Sequence, residues 1–185
     1  DQLGDKLNQA SNKKYSVEDY SPEWVVRFDV LKNSLKKIFE DKALKIEHVG
    51  STSIVGLKAK PIIDILVVVI QINDLEGVVR CMEELGYFCK RDYVKEDSYF
   101  FYKEIDGRRM ENIHVFSMDH THVAELLDKR DYLRAHPIET NRYEVLKTEL
   151  AQKYPNDYVS YRKWKDEYLN NELAKKVARW KRGEE

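Results

Sequence analysis

The residues whose side chains are best suited to binding or catalysis lie in one segment, HVGSTSIVGLKAKPIIDILVVV, at positions 48–69. Hydroxyl side chains follow its first glycine, Gly50, and a single carboxylate, Asp64, stands in a run of β-branched residues. A carboxylate inside a strand that otherwise has the composition of a buried core is unfavourable unless it has a partner. We therefore expect Asp64 to serve the function of the protein.

Two familiar site types do not match this segment. A Walker-type phosphate loop has the pattern GxxxxGK[ST] and leads into a helix. Here Leu57 separates Gly56 from Lys58, and Pro61 introduces a strand. The GxSxG pattern of a nucleophile elbow is also absent from the segment.

The arrangement that fits is a strand, a Gly-Ser bend and a second strand with a carboxylate. Gly50 lets a ligand approach the backbone closely, and Ser51, Thr52 and Ser53 offer hydroxyl and amide groups to phosphate oxygens. Asp64 on the next strand can bind Mg²⁺ together with those phosphates. This combination is typical of phosphoryl or nucleotidyl transfer, in which the protein mainly positions groups and neutralises charge.

The same segment, with the later stretches IHVF and RDYLRAHP, closely resembles the GrpB family of largely uncharacterised bacterial proteins. The resemblance covers about residues 22 to 170 and implies the nucleotidyltransferase superfamily with its polymerase-β-like fold. In that superfamily a Gly-Ser pair is followed by a strand with two acids two positions apart, and a third acid lies on a later strand. The resemblance places Gly50 and Ser51 at the pair and Asp64 at the first acid, as the predicted catalytic residue.

Two positions depart from the superfamily pattern, because Leu66 stands at the second acid and His114 at the third. In one interpretation His48, Asp64 and His114 form a different metal site, where imidazole favours Mn²⁺, Zn²⁺ or Fe²⁺ over Mg²⁺. In the other, the protein is a catalytically inactive ligand-sensing or protein-interaction module on the same fold. The cofactor expected from the resemblance is a divalent metal, Mg²⁺ or Mn²⁺.

Cationic side chains complete the predicted site. Lys60 is expected to meet phosphate as a point charge, and its alternative role is that of a solvated loop cation. Arg130 is expected to neutralise ligand charge, and its alternative role is an ion pair that holds the C-terminal half. The predicted ligand is a nucleotide or another phosphorylated small molecule.

Hydrophobic periodicity and turn signals predict the elements that position these residues. Pro155 is expected to interrupt the C-terminal helices. The predicted elements are a helix over about 22–40, strands at 44–49 and 62–70, a helix capped by Asn73 and ended by Gly86, a hairpin around Asp106–Gly107 that places Tyr99 opposite His114, and helices from about 121 onward.

These elements predict an α/β protein of the α+β class, with a small mixed sheet of nucleotidyltransferase type backed by helices and a C-terminal helical half. We expect a flexible arm over residues 1–20, a core over 21–120 and packed helices over 121–185, which together form a single domain.

Composition narrows the function further. The 32 basic and 33 acidic residues give a net charge of -1, which argues against bulk nucleic-acid binding. Cys81 and Cys89 lack the spacing of a zinc site and fit a reducing, cytoplasmic location. No apolar run has the roughly 20 residues of a membrane span, so no membrane partner is expected.

Overall fold

The strands of the protein form one five-stranded mixed sheet. A computed structural model describes residues 17–185, so most of the predicted arm lies outside the described residues. The strands are β1 (Ala43–Val49), β2 (Ile63–Val69), β3 (Phe88–Arg91), β4 (Ser98–Ile105) and β5 (Arg108–Ser117). Their order is β1-β2-β5-β4-β3, with β2 and β5 parallel and all other neighbours antiparallel. The predicted α+β class and mixed sheet are confirmed.

Helices follow the predicted order, with two differences at their ends. Asn73 does not cap the second helix, because its side chain accepts a hydrogen bond from Arg91 and the helix begins at Glu76. The predicted last helix is divided by a π-helical segment, Tyr168–Leu173. Every helix within residues 17–185 is too short or too polar to span a lipid bilayer. The helices are α1 (Glu23–Phe39), α2 (Glu76–Glu84), α3 (Thr121–Ala135), α4 (Pro137–Lys153), α5 (Tyr158–Glu167) and α6 (Ala174–Lys181).

The two faces of the sheet pack against different helices. On one face, alternate residues of β2 meet α1 and α2 in the main apolar core, with Phe39 and Met82 fully buried. On the other face, Leu66 and Val68 pack beneath α3. Because successive strand residues alternate between faces, Asp64 shares the α3 face with Leu66.

The C-terminal helices also pack against the loop that follows β1. Ile54 and Leu57 from this loop lie in one apolar cluster with residues of α3, α4, the π-helical segment and α6. The cluster comprises Ile54, Leu57, Tyr132, Leu133, Tyr143, Leu173 and Val177. This packing brings the C-terminal helices to the edge of the sheet where β1 ends and β2 begins. The domain boundaries at 20/21 and 120/121 stay a prediction.

The β4–β5 hairpin turns where the sequence predicts. Asp106 and Gly107 both have positive φ, at 52° and 73°, as a type I′ turn requires. Ile105 therefore pairs with Arg108.

Farther from the turn, the register of the hairpin differs from the prediction by one residue. The pairing shifts between Lys103 and Glu104, so Tyr99 lies opposite Val115 and not opposite His114. A β-bulge adds one unpaired residue to a strand, and the turn sequence carries no signal for it. The prediction for Tyr99 was therefore wrong, although the turn itself was right.

Glu139 anchors α4 to the last part of the chain. Its side chain is only 7% exposed, its Oε1 accepts a hydrogen bond from the Tyr168 hydroxyl, and its Oε2 lies 2.9 Å from Lys176 Nζ. Burial by itself raises a carboxyl pKa, but the hydrogen bonds from Tyr168 and Lys176 outweigh burial and lower the pKa of Glu139. The ionised form is therefore the one that stabilises the fold.

Replacement of Glu139 by alanine should lower the free energy of unfolding by about 2–3 kcal/mol, because it leaves the Tyr168 hydroxyl unpaired in a half-buried position. Urea unfolding at neutral pH measures this loss. Glu149→Ala, an exposed position on the same helix, is the control and should change stability by less than about 0.5 kcal/mol. Since folding lowers the pKa of Glu139, the stability that its carboxylate contributes is fully present above about pH 4.3. This stability is lost as the pH falls below that value. Equal urea midpoints for the two variants would contradict this role.

Candidate functional site

The chain leaves β1 at Gly50 in a backbone conformation that only glycine adopts readily, with φ 73° and ψ -175°. A Cβ atom at this position would lie 2.6 Å from Oδ2 of Asp64, which is closer than real Cβ contacts. The absence of a side chain at Gly50 therefore lets the Asp64 carboxylate approach the bend. The structure brings these two predicted site residues together.

Side chains of β5 hold the Asp64 carboxylate from one side. Asn112 Nδ2 donates to Asp64 Oδ1 at 3.1 Å, and Arg109 Nη1 donates to Asn112 Oδ1 at 2.8 Å, which fixes the orientation of the amide. His114 Nε2 lies 3.8 Å from Asp64 Oδ1. The Asp64 side chain is still 28% exposed, so its carboxylate remains accessible.

Asp64 opens onto a cleft of about 170 Å³ between the sheet edge and the C-terminal helices. The lining combines charged, hydroxyl and apolar side chains, which is the composition of many small-molecule sites. It comprises Gly50, Ser51, Ile54, Asp64, Lys129, Arg130, Leu133, Tyr143, Lys165 and Leu169.

Two ammonium groups of this cleft were missed from the sequence, Lys129 on α3 and Lys165 on α5. Burial lowers the pKa of both side chains, and the negative charges of Asp64 and Asp166 oppose that effect at each. Lys129 adjoins Arg130 in the sequence, which was a usable signal. Lys165 had none, because the periodicity of its helix suggested only a packing stripe.

Two further lysines extend the cationic region. Lys147 is buried, its Nζ donates to a backbone carbonyl at 2.8 Å, and the same atom lies 3.4 Å from Ser51 Oγ. Burial, aided by the positive charge of Lys165, lowers the pKa of Lys147 to about 7. The same two causes lower the pKa of Lys60 to about 8, and Lys60 Nζ lies over the Tyr158 ring. Lys60 therefore adds positive charge near the cleft, although its side chain does not line the cleft.

Arg130 lines the cleft but already has anionic partners. Its Nη1 lies 2.8 Å from Glu47 Oε2 and its Nε lies 2.9 Å from Asp131 Oδ1, with the side chain only 11% exposed. Nη1 also donates to the backbone carbonyl of His48. These contacts tie α3 to β1 and thereby position Lys129, so direct phosphate binding by Arg130 stays a prediction.

The three hydroxyl residues of the bend have different surroundings. Ser51 lines the cleft. Thr52 is buried, donates to a backbone carbonyl and accepts from His48 Nε2 at 2.9 Å. Ser53 is buried and donates to the Gly50 carbonyl. Thr52 and Ser53 therefore stabilise the bend, and Ser51 is the hydroxyl that lines the cleft, where it also contacts Lys147 and Tyr143.

Comparison with known proteins identifies the family. Residues 14–175 match the family model described as GrpB protein. The chain belongs to the GrpB family. YqkA of Bacillus subtilis, a UPF0157 protein, is 33% identical over 174 residues, which cover 92% of this chain and 49% of YqkA. This GrpB-family chain therefore spans about half the length of that relative.

Two solved structures resemble this GrpB-family fold to very different degrees. The crystal structure of the conserved protein GrpB from Enterococcus faecalis is similar with a TM-score of 0.81 and 33% identity, over 87% of this chain and 96% of that chain. Terminal uridylyl transferase 4 from Trypanosoma brucei with bound CTP has a TM-score of 0.47 and 12% identity, over 82% of this chain and 48% of that chain. The second likeness is too distant to inform ligand or chemistry.

In this GrpB-family chain, His48 lies on the other side of the sheet from Asp64. His48 pairs with Ile65, whereas Asp64 pairs with Val49, and paired residues share a face. The His48 ring stacks on Phe28 at 4.8 Å between centroids, and burial lowers its pKa to about 4. His48, Asp64 and His114 therefore do not assemble into one metal site.

The residues around Asp64 do not fit a divalent ion held by the protein. Leu66, at the second acid position, is fully buried in the apolar cluster beneath α3. Within residues 17–185, no three His, Cys, Asp or Glu side chains come together in a way that could hold a metal. Lys129 and Lys165 would also repel a cation bound at Asp64.

Proposed function

We propose that this cleft binds a phosphorylated small molecule, with nucleotides as the leading class. The observation that supports the proposal is the concentration of ammonium groups from Lys129 and Lys165 around Ser51 and one carboxylate, Asp64. Partly buried like charges are unfavourable without a counter-anion. A phosphate group supplies up to two negative charges and acceptor oxygens for ammonium and hydroxyl donors.

The apolar part of the lining suits the remainder of such a ligand. Ile54, Leu133 and Leu169 offer aliphatic surface, and Tyr143 offers an aromatic ring beside Ser51. A base or sugar bound there would leave its phosphate at the lysines. A single lining that combines cations with apolar surface therefore favours an organic phosphate as the ligand.

Transfer of a phosphoryl or nucleotidyl group to a small acceptor is the chemistry that fits these groups. Asp64 would accept the proton of an acceptor hydroxyl while the acceptor oxygen bonds to phosphorus and the bond from phosphorus to the leaving oxygen breaks. Lys129 and Lys165 would neutralise the charge that develops, and one of them would give the leaving oxygen its proton. Proton return from Asp64 to that lysine restores the starting state.

A ligand-sensing module without catalysis is the second candidate. Two observations favour it. Asp64 Oδ1 is already occupied by the hydrogen bond from Asn112, and the leucine at position 66 leaves Asp64 as the single carboxylate of the cleft lining. In that case the ligand would bind and no group would be transferred.

A panel of nucleotides, sugar phosphates and inorganic pyrophosphate tests the binding proposal by melting temperature. A ligand at about 100 times its Kd stabilises by about 2.7 kcal/mol, which raises the melting temperature by roughly 5–10 °C. The matching nucleosides and free sugars are the controls and should give no shift. The proposal fails if no phosphorylated compound shifts the wild-type protein.

Labelled ligand then separates the two candidates. An enzyme should transfer label to an acceptor, and Asp64→Asn should slow the transfer by about 10²-fold or more because it removes the proton acceptor. A sensor should bind the same ligand and release it unchanged. Transfer that persists at the wild-type rate in Asp64→Asn would exclude Asp64 as the base.

A further inference from the structure

We infer that the cleft binds its phosphorylated ligand without a divalent cation, with the ammonium groups of Lys129 and Lys165 in the place that metal ions take in sites built from several carboxylates. The inference deepens the proposed function and rests on it. It specifies a metal-free phosphate as the form of the ligand that the protein recognises.

The sheet beneath the cleft offers donors where a metal needs acceptors. In the parallel pairing of β2 with β5, Asp64 lies beside Asn112 and Leu66 beside His114. Asn112 turns its NH₂ group toward Asp64, because its carbonyl oxygen already accepts from Arg109. The amide therefore occupies a lone pair of the Asp64 carboxylate and contributes no oxygen to a cation.

His114 presents a proton to Asp64 and not a lone pair. Its Nδ1 is buried and has no hydrogen-bond partner within the described residues. We place a proton on Nε2, because this nitrogen faces Asp64 Oδ1 at 3.8 Å and a lone pair in that position would be repelled by the carboxylate. His114 is thus oriented as a donor, as Asn112 is.

The cations arrive from the opposite side of the cleft, on two different helices. Lys129 on α3 and Lys165 on α5 both interact electrostatically with Asp64. Arg130, the next residue after Lys129, is bound to Glu47 of β1, which holds this turn of α3 against the sheet. Lys129 is therefore placed by the tertiary contact of its neighbour and is not a loose surface charge.

The cleft lining holds two ammonium groups against one carboxylate, Asp64, which leaves it short of negative charge. Asp166 also attracts both lysines, but it lies outside the lining and forms an ion pair with Arg162. A dication would increase that imbalance, whereas a phosphate dianion would remove it. Each ammonium has three N–H donors for phosphate oxygens, and the Ser51 hydroxyl lies at the same cleft. The chemical class that fits is a phosphomonoester or a pyrophosphate free of metal.

Calorimetric titration with inorganic pyrophosphate and with ADP tests this inference on the full chain. In EDTA at pH 6.5 we expect binding, and we expect excess Mg²⁺ to weaken it several-fold because the metal competes for the phosphate oxygens. Binding that requires Mg²⁺ would overturn the inference and leave the proposed function standing. Absence of binding under both conditions would overturn both.

Variants in EDTA identify the groups responsible. Lys129→Met and Lys165→Met should each weaken binding about tenfold or more, whereas Lys163→Met, an exposed lysine on α5, should leave it unchanged. Asp64→Asn should keep or tighten binding, because it removes a negative charge beside the phosphate. If a metal ion bridged the ligand to Asp64, the Asp64→Asn variant would lose binding affinity. That loss, or equal affinities for all three lysine variants, would refute the inference.

Discussion

Replacement of Gly50 by alanine should lower the free energy of unfolding by about 2–4 kcal/mol and weaken ligand binding, because the displaced Asp64 carboxylate would be pushed toward the space of the anionic phosphate. Two costs add at this position. The backbone conformation of Gly50 is strained for any residue with a side chain, at about 1–3 kcal/mol. The new methyl group would also displace the Asp64 carboxylate, since it would lie 2.6 Å from Oδ2.

A second glycine of the same loop supplies a matched control. Gly56 also has positive φ, at 83°, but a Cβ atom there would meet no atom within 4 Å. Gly56→Ala should therefore show only the conformational cost and should bind ligand as the wild type does. Urea unfolding and titration of both variants measure the difference. If the Gly56 and Gly50 variants lose stability and affinity equally, the contact between Gly50 and Asp64 does not matter.

Affinity for a phosphate ligand should fall by at least tenfold between pH 6.5 and pH 9. Burial, together with the charge of Lys165, lowers the pKa of Lys147 to about 7 and that of Lys60 to about 8. Burial also lowers the pKa values of Lys129 and Lys165 from their ordinary range. A bound anion favours the ammonium form of these groups, so binding above pH 7 takes up protons and weakens as the pH rises.

The measurement is titration calorimetry in buffers of different ionisation enthalpy, which reports proton uptake directly. Below about pH 6 the ligand itself gains a proton, so affinity should be highest near pH 6–7. Lys163→Met should reproduce the wild-type profile. A flat profile between pH 6.5 and pH 9, or proton release on binding, would contradict the role of these lysines.

Stability of the ligand-free protein should change in the opposite direction over the same interval. A lysine whose pKa is lowered by folding binds fewer protons in the folded state than in the unfolded state. Its contribution to stability therefore rises as the pH increases from about 7 toward 9. If affinity falls while stability rises, the loss of affinity comes from lost ligand contacts and not from general unfolding.

The cleft lies within the part of the chain that matches the GrpB family model. The chain spans about half of YqkA from Bacillus subtilis but nearly all of the GrpB chain from Enterococcus faecalis. The family region, residues 14–175, contains the sheet and most of the C-terminal helices.

Local sequence patterns determined the elements and the first half of the site. The β-branched run after Pro61 predicted a buried strand, and the only carboxylate in that strand, Asp64, faces the cleft. The Gly50–Ser51 pair predicted a bend at which a ligand can approach the backbone. In the structure the Asp64 carboxylate lies so near this bend that a Cβ atom on Gly50 would be 2.6 Å from Oδ2. These features depend on strand alternation and backbone sterics within a few residues, so a single sequence contains them.

Tertiary packing alone decided the cationic half of the site and the fate of the predicted metal ligands. Lys165 lines the cleft because α5 packs against α4 and continues into the π-helical segment, whose Leu173 lies in the apolar cluster, and no local pattern specifies that path. His48 turns to Phe28 on the other face, and a β-bulge shifts the partner of Tyr99. Contacts between residues distant in the chain arise from the packing of whole elements, whose relative placement is a property of the complete core and not of any segment.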